Sequence, residues 1–306
     1  MQTVAGLHHD DFNHAAEAAA RAFYRKPIGE ITFIEHGADN LILLVNREFV
    51  FRFPRDENAG ARLYFETALL QKLAGRITAV AIPQVVHISH YPLFVVSNYI
   101  EGEHLSGPQI QSLSEVEQQA VGAKISQFMV EINNVISGLE VQRLRTEANL
   151  NRVSLPWEPY FKQVFEMTPL PDERLRPIVQ QYYPLWKDYV AHEQRTFAIH
   201  DDLHPVNILF SGPRLSGMLD FGDTNIGGAE EEMRWLYLMG DIVVQSAIAE
   251  YARLTNTQLS YEHIKVWAIM HELSTFVSRL VAKDVESFPF QRSRAHLKQW
   301  VPNFPV

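Results

Sequence analysis

The chain has 306 residues, 46% apolar and 21% charged, which excludes a disordered chain and leaves room for one large core or two lobes. Its 36 acidic against 27 basic residues give a formal charge of −9, the wrong sign for a duplex-binding protein; such a field favours cationic over anionic small molecules, but on charge alone the preferred reading is that it keeps the protein soluble. There is no cysteine, so disulfides, zinc–thiolate sites and thiol nucleophiles are excluded; the absence of a long apolar run or a basic, then apolar start predicts neither membrane span nor secretory signal, and a cytoplasmic location is expected.

From His9 to about Tyr24, Ala15, Ala16, Ala19 and Phe23 recur at helical spacing. The period then changes. Ile31 to Glu35, Leu41 to Val45 and Glu48 to Phe53 read as short strands, the last two joined at Asn46-Arg47, and Pro54 ends the third because it has no ladder donor. Ala59 to Ala74 return to helical spacing, and Pro83 to Ile88 and Leu93 to Asn98 read as two more strands. The first lobe is thus predicted over residues 1–101 as an α+β unit with an antiparallel five-stranded sheet. Glu101-Gly102-Glu103 breaks the pattern, and residues 102–306 are predicted as a mostly helical second lobe. Ser114 and Glu117 form a capping box before a helix to about Ile136. Further helices are expected at Tyr160 to Met167, Asp172 to His192, Glu230 to Leu254 and Tyr261 to Asp284, interrupted by a β-rich island from Thr196 to Leu219.

That island carries the chemistry. It reads His200-Asp201-Asp202-Leu203-His204-Pro205-Val206-Asn207-Ile208-Leu209, followed by Leu219-Asp220-Phe221-Gly222-Asp223. Phosphoryl transfer needs a carboxylate near the attacking hydroxyl, oxygen ligands for Mg²⁺ and positive charge over the phosphates. Asp202 and Asn207 bracket one loop, and Asp220 leaves the next strand, so the three side chains can converge. The order and the spacing match the protein-kinase template of His-Arg-Asp, four residues, Asn, then Asp-Phe-Gly, except that Asp201 stands where the template has arginine.

The stretch from His200 to Asp223 resembles the aminoglycoside phosphotransferase family of antibiotic and metabolite kinases, which share a bilobal protein-kinase-like fold. The resemblance extends to His36-Gly37-Ala38-Asp39-Asn40, Val50-Phe51-Arg52-Phe53-Pro54 and Tyr99-Ile100-Glu101-Gly102-Glu103. Asp201 and Val206 replace the glycines usual in that family. The resemblance implies that Asp202 orients the acceptor hydroxyl and receives its proton, and that Asn207 and Asp220 hold Mg²⁺. It implies that Arg52 pairs the phosphates of ATP or GTP, with Glu66 fixing the guanidinium. The turn carrying Gly37 and Asn40 would lie over the phosphates, Ser97 and Tyr99 would present backbone groups to the purine, and His204 would contact the γ-phosphate. His200 is expected to brace the loop.

Two other readings compete. His192, His200, Asp201 and His204 could belong to a zinc or iron hydrolase, but no further ligand completes a set and Asn207 and Asp-Phe-Gly go unexplained. A pseudokinase would be expected to have lost Asp202, Asn207 or Asp220. The acceptor implied by the resemblance is a hydroxylated small molecule, with a cationic aminoglycoside first and macrolides, choline, homoserine or sugar-like metabolites after it. Asp223, Glu230, Glu231 and Trp235 are the candidate acceptor contacts. The competing expectation is that Glu230 to Glu232 open a helix and face solvent, where acids favour the dipole.

Overall fold

A computed structural model describes residues 9–24, 27–34, 39–150 and 157–305. The chain divides into two compact units. The first comprises Met1–Leu105, Gln127–Asn151 and Ala198–Ile226; the second comprises Ser106–Ser126, Arg152–Phe197 and Gly227–Val306.

In the first unit α1 (His9–Phe23) precedes β1 (Ile31–Ile34), β2 (Asn40–Val45) and β3 (Phe49–Pro54). Then come α2 (Glu57–Leu73), β4 (Val85–His90) and β5 (Leu93–Asn98). The five strands form one antiparallel sheet in the order β1-β2-β3-β5-β4, as the alternating patterns predict. Side chains alternate between the two faces of a strand. Leu41, Leu43 and Val45 on β2 and Phe51 and Phe53 on β3 are buried with Ala16 and Ala20 of α1. That leaves Asn40, Ile42 and Leu44, with Val50 and Arg52, on the opposite face. The sheet therefore presents one closed face and one face on which a site can be built.

The chain continues through α3 (Gly107–Gln111), α4 (Glu115–Val135) and α5 (Gly138–Glu147), of which only α4 is predicted from spacing. Signals for the other two are present in retrospect: Ser106 and Gln109 form a capping box at α3, and the Ser137 hydroxyl accepts from Glu140 N–H at α5. Next are α6 (Trp157–Lys162), which runs into a wide turn at Gln163–Met167, and α7 (Arg176–His192). The β-rich island resolves into β6 (Phe197–Ile199), β7 (Ile208–Ser211), β8 (Arg214–Met218) and β9 (Asn225–Gly227). β7 and β8 form a hairpin, and β6 pairs with β9.

The helix predicted from Glu230 to Leu254 is instead broken. It comprises α8 (Ala229–Met233), a 3₁₀ segment Arg234–Met239 and α9 (Asp241–Thr255). Gly240 sits at the break with φ 106°, a conformation an α-helix cannot contain and glycine adopts readily. α10 (Tyr261–Val281) and α11 (Phe288–Trp300) complete the chain. α11 is absent from the sequence reading, although Ser287 and a proline in the first turn mark its start. The core of the second unit is aromatic, with Phe161, Trp186, Trp267, Phe276 and Phe290 buried among α6, α7, α10 and α11. Among the described residues, no helix is long and apolar enough to cross a membrane.

Candidate active site

The open sheet face forms one wall of a cavity of about 650 Å³ in the first unit, within the size range of small-ligand sites. The strand register orders its lining. Asn40 begins β2 and Ile42 lies opposite Arg52; two residues on, Leu44 lies opposite Val50, which in turn lies opposite Ser97. Asn40 and Arg52 thus lie toward one end of the strands, and Leu44 and Val50, with Ser97 beside them, toward the other. Ile100, Leu209 and Leu219 add to the apolar lining, and Asp39, Arg62, Asn207, Asp220 and Asp223 to the polar lining.

Arg52 and Glu66 meet as expected. The Arg52 Nη1 donates to both carboxylate oxygens of Glu66, at 2.7 and 2.6 Å. Glu66 is buried, and its Oε1 also accepts from the Phe221 N–H at 3.2 Å. Burial pushes the Glu66 carboxyl above its ordinary value, with Asp220 pushing the same way, while Arg52 and the Phe221 amide pull it down. The Arg52 Nη2 is buried with no hydrogen-bond partner, as is the Asn40 Oδ1. A buried donor left without a partner is costly in a folded protein, and here it belongs to a residue lining the cavity.

The loop after β6 is built around His200. Its buried ring packs against Phe221 and Phe128, at centroid distances of 4.7 and 6.2 Å. Nε2 donates to the Leu219 carbonyl at 2.9 Å, and Nδ1 accepts from the Asp202 N–H at 3.3 Å. Burial lowers the imidazole pKa to about 4 against the opposing pull of Asp220, Leu219 and Asp201. At neutral pH the ring is therefore uncharged, one donor and one acceptor, as its two bonds require. Asp201 has φ 67°. The left-handed conformation explains why the resembling family places glycine there; aspartate is among the few other residues that adopt it.

Asn207 closes the loop. Its Nδ2 donates to the Asp202 Oδ2 at 2.7 Å and to the Asp202 carbonyl at 3.0 Å. This fixes the carboxamide and leaves its Oδ1 as the remaining acceptor. Asp220 follows β8 with φ 60° and ψ 72°, and it lines the same cavity as Asn207. An amide oxygen and a carboxylate on one cavity wall are hard donors of the kind Mg²⁺ takes from protein while keeping phosphate and water as its other ligands. Among the described residues no group of three or more His, Asp or Glu side chains is placed to hold a metal unaided. That donor set fits a metal held jointly with a phosphorylated substrate.

Residues 30–266 match the profile of the phosphotransferase enzyme family. The chain belongs to this family. Solved structures share the fold. The GDP complex of wild-type aminoglycoside 2′-phosphotransferase-IIIa has a TM-score of 0.76 at 19% identity, over 96% of this chain and 98% of that one. The GDP and kanamycin complex of APH(2″)-IIIa has a TM-score of 0.73 at 22% identity, over 95% and 99%. The apoenzyme of macrolide 2′-phosphotransferase MphH from Brachybacterium faecium has a TM-score of 0.66 at 16% identity, over 96% and 100%. No curated protein matches. The α+β, protein-kinase-like fold expected from the resemblance is the fold these structures have.

Several sequence-predicted site residues lie elsewhere or are already committed. Gly37 lies outside the described residues. His204 caps the turn Pro205–Asn207, its Nδ1 accepting from Val206 N–H at 3.3 Å, and it is not among the described residues that line the cavity. Ser97 and Tyr99 line the cavity, but the Tyr99 N–H donates to the Glu48 carbonyl at 2.8 Å and so is not offered to a purine. The strand pairing simply runs one residue further than the sequence suggests. Asp223 lines the cavity in an ion pair with Arg62.

Glu230, Glu231 and Trp235 are corrected more fully, because all three are buried and belong to the interior of the second unit. Glu230 accepts from the Ser260 N–H at 2.6 Å and pairs with His263 at 2.8 Å. Glu231 pairs with Arg195 at 2.8 Å. Trp235 packs edge-on against His271. The acidic run does not face solvent; Glu230 and Glu231 are engaged by His263 and Arg195 from segments remote in sequence, and Glu231 also accepts from the Gly228 N–H at 3.2 Å. Arg62 and Asp39 are the residues that sequence reasoning missed. The available signal was the four-residue spacing of Arg62 and Glu66, which puts both on one face of α2.

Proposed function

We propose that the protein is a small-molecule phosphotransferase that moves the γ-phosphoryl group of ATP or GTP to an acceptor hydroxyl, with an aminoglycoside as the favoured acceptor. The observation that carries this reading is the cavity lined by Arg52, Asn207 and Asp220, where Asn207 is bonded to Asp202 at 2.7 Å and Arg52 is paired with the buried Glu66. Family membership supports the reaction class. The acceptor class is supported by the net charge of −9, which suits a polycation, and by the kanamycin complex among the fold's relatives.

In this reading residues 1–101 hold the nucleotide, and residues 102–306 supply the catalytic loop, the metal ligands and the acceptor site. The purine occupies the apolar end of the cavity between Leu44, Val50 and Leu209. The triphosphate reaches the polar end, where the unpartnered Arg52 Nη2 is its first donor. Asn207 Oδ1 and Asp220 would hold Mg²⁺, which when bound would neutralise charge on the phosphates. Asp202, held by Asn207 and the His200 loop, orients the acceptor hydroxyl and receives its proton. The oxygen–phosphorus bond to the new ester forms as the bond to the nucleoside diphosphate breaks.

The test is a coupled assay for nucleoside diphosphate release, run with ATP and GTP over aminoglycosides, macrolides and hydroxylated metabolites. We expect acceptor-dependent release with an aminoglycoside, reduced in Asp202→Ala by at least about 10²-fold. Full turnover in Asp202→Ala overturns the assignment of Asp202, and release only with a macrolide or a metabolite moves the acceptor to that class.

A further inference from the structure

Arg62 projects from α2 one turn before Glu66, and the two residues grip the same short segment. Glu66 accepts the N–H of Phe221, and Arg62 pairs with Asp223. Their contacts thus fall one and three residues beyond Asp220. On its other side Arg62 Nη1 donates to the Asp39 Oδ2 at 2.8 Å, and Asp39 is itself fixed by the Arg55 N–H, which donates to its carbonyl at 2.9 Å. One guanidinium therefore joins the residue that enters β2 to the turn that carries Asp220.

What needs holding is Asp220. Its left-handed backbone, φ 60° and ψ 72°, is disfavoured for a residue with a Cβ, and such a conformation persists only where the surroundings over-determine it. Glu66 fixes the peptide after Asp220, and Arg145 Nη1 donates to the Thr224 carbonyl at the turn's far end at 2.8 Å; Arg62 adds a hold on the Asp223 side chain between them. It also changes the charge. Asp39, Asp220 and Asp223 all line the cavity, and among the described lining residues Arg52 and Arg62 are the arginines. The Nη1 of Arg52 is spent on Glu66, while Arg62 pairs with Asp39 and Asp223, so that Asp220 is the carboxylate left to offer to a cation. The side chains of Arg62, Asp39 and Asp223 are 27%, 40% and 43% exposed, so these pairs add little to overall stability and their removal leaves the chain folded.

We propose that Arg62 is a positioning residue that sets Asp220 for metal binding by clamping the turn at Asp223. The proposal rests on the reading of Asp220 as a ligand of the metal–nucleotide complex. It adds that the ligand's conformation is imposed from α2, by a residue that pairs with Asp223 rather than with Asp220 itself.

The experiment measures equilibrium binding of N-methylanthraniloyl-labelled ATP and GTP over a Mg²⁺ titration, with thermal unfolding of each variant alongside. In the wild type, Mg²⁺ tightens binding of the label, and Asp220→Asn removes that tightening. Arg62→Gln is expected to need about tenfold more Mg²⁺ than the wild type for half-maximal tightening, each protein being referred to its own Mg²⁺-free affinity for the label. Asp223→Asn is expected to reproduce that shift, and the double variant to add little to either single one. Arg62→Lys, which keeps the charge, recovers part of it. If Asp220→Asn binds the metal–nucleotide like the wild type, the reading of Asp220 fails. If Asp220→Asn loses the tightening while Arg62→Gln or Asp223→Asn keeps the wild-type Mg²⁺ requirement, the clamp fails and the ligand assignment stands. Should Arg62→Gln not fold, Asp223→Asn decides alone.

Discussion

The pair of Arg52 and Glu66 gives the strongest energetic test of the site. Glu66→Gln keeps an oxygen for the Phe221 N–H but removes the charge opposite Arg52, whose side chain is only 12% exposed against 3% for Glu66. At this burial solvent screens little, and breaking such a pair from one side costs about 3–5 kcal/mol, because an uncompensated cation remains. For a cooperative unit of 150–250 residues that corresponds to a fall in Tm of roughly 10 °C. The informative comparison is with the double variant Arg52→Met/Glu66→Gln. If the loss comes from the stranded guanidinium, removing it restores stability, so the double variant should melt above the single one despite carrying one more substitution. Thermal unfolding followed by circular dichroism checks this without any assumption about substrate. A double variant that melts at or below Glu66→Gln refutes the reasoning, and would mean that the pair contributes through packing rather than charge.

Two further outcomes follow from the loop around His200. Its folded pKa of about 4 lies below the ordinary histidine value of 6.5, so between those values the unfolded chain binds more protons than the folded one. Stability is then complete above pH 6.5 and falls by about 3 kcal/mol as the pH drops to 4, a loss that urea unfolding at stepped pH should show and that His200→Asn should reduce. A wild-type profile flat over that window sinks the argument. At Asp201, with φ 67°, glycine should be tolerated within about 1 kcal/mol, while Asp201→Val should cost about 1–3 kcal/mol, because a β-branched residue resists positive φ. Equal unfolding midpoints for the two variants would contradict a left-handed backbone there.

The parts of this site that were legible in the sequence are those set by local chemistry. Alternation along β2 and β3 separates the buried Leu41, Leu43 and Phe51 from the cavity-facing Ile42, Val50 and Arg52, because side-chain direction in a strand depends only on parity. The spacing of Asp202, Asn207 and Asp220 was legible because it is set within one loop and one hairpin; Asn207 bonds to Asp202 and shares a cavity lining with Asp220. What escaped depends on partners distant in the chain. An acidic triplet opening a helix reads as solvated, and nothing near Glu231 announces that Arg195 will bury it. The break at Gly240 was legible only as a glycine. The loss of the Tyr99 amide to Glu48 follows from how far two strands stay paired, which propensity does not determine.

His200 shows why the departures from the family pattern at Asp201 and Asp220's strained backbone can coexist. One ring spans both segments, accepting from the Asp202 N–H and donating to the carbonyl of Leu219, the residue before Asp220. The backbone at Asp202 and the residue before Asp220 are thus tied to one imidazole. A protonated ring would turn Nδ1 into a second donor facing the Asp202 N–H, and the bond that seats Asp202 would be lost. Burial among Phe128 and Phe221 prevents this at neutral pH by making the charged form costly, even with Asp201 and Asp220 nearby to attract a proton. The apolar packing around His200 therefore has a chemical purpose as well as a structural one: it keeps the ring neutral, so that one imidazole holds both the Asp202 N–H and the Leu219 carbonyl.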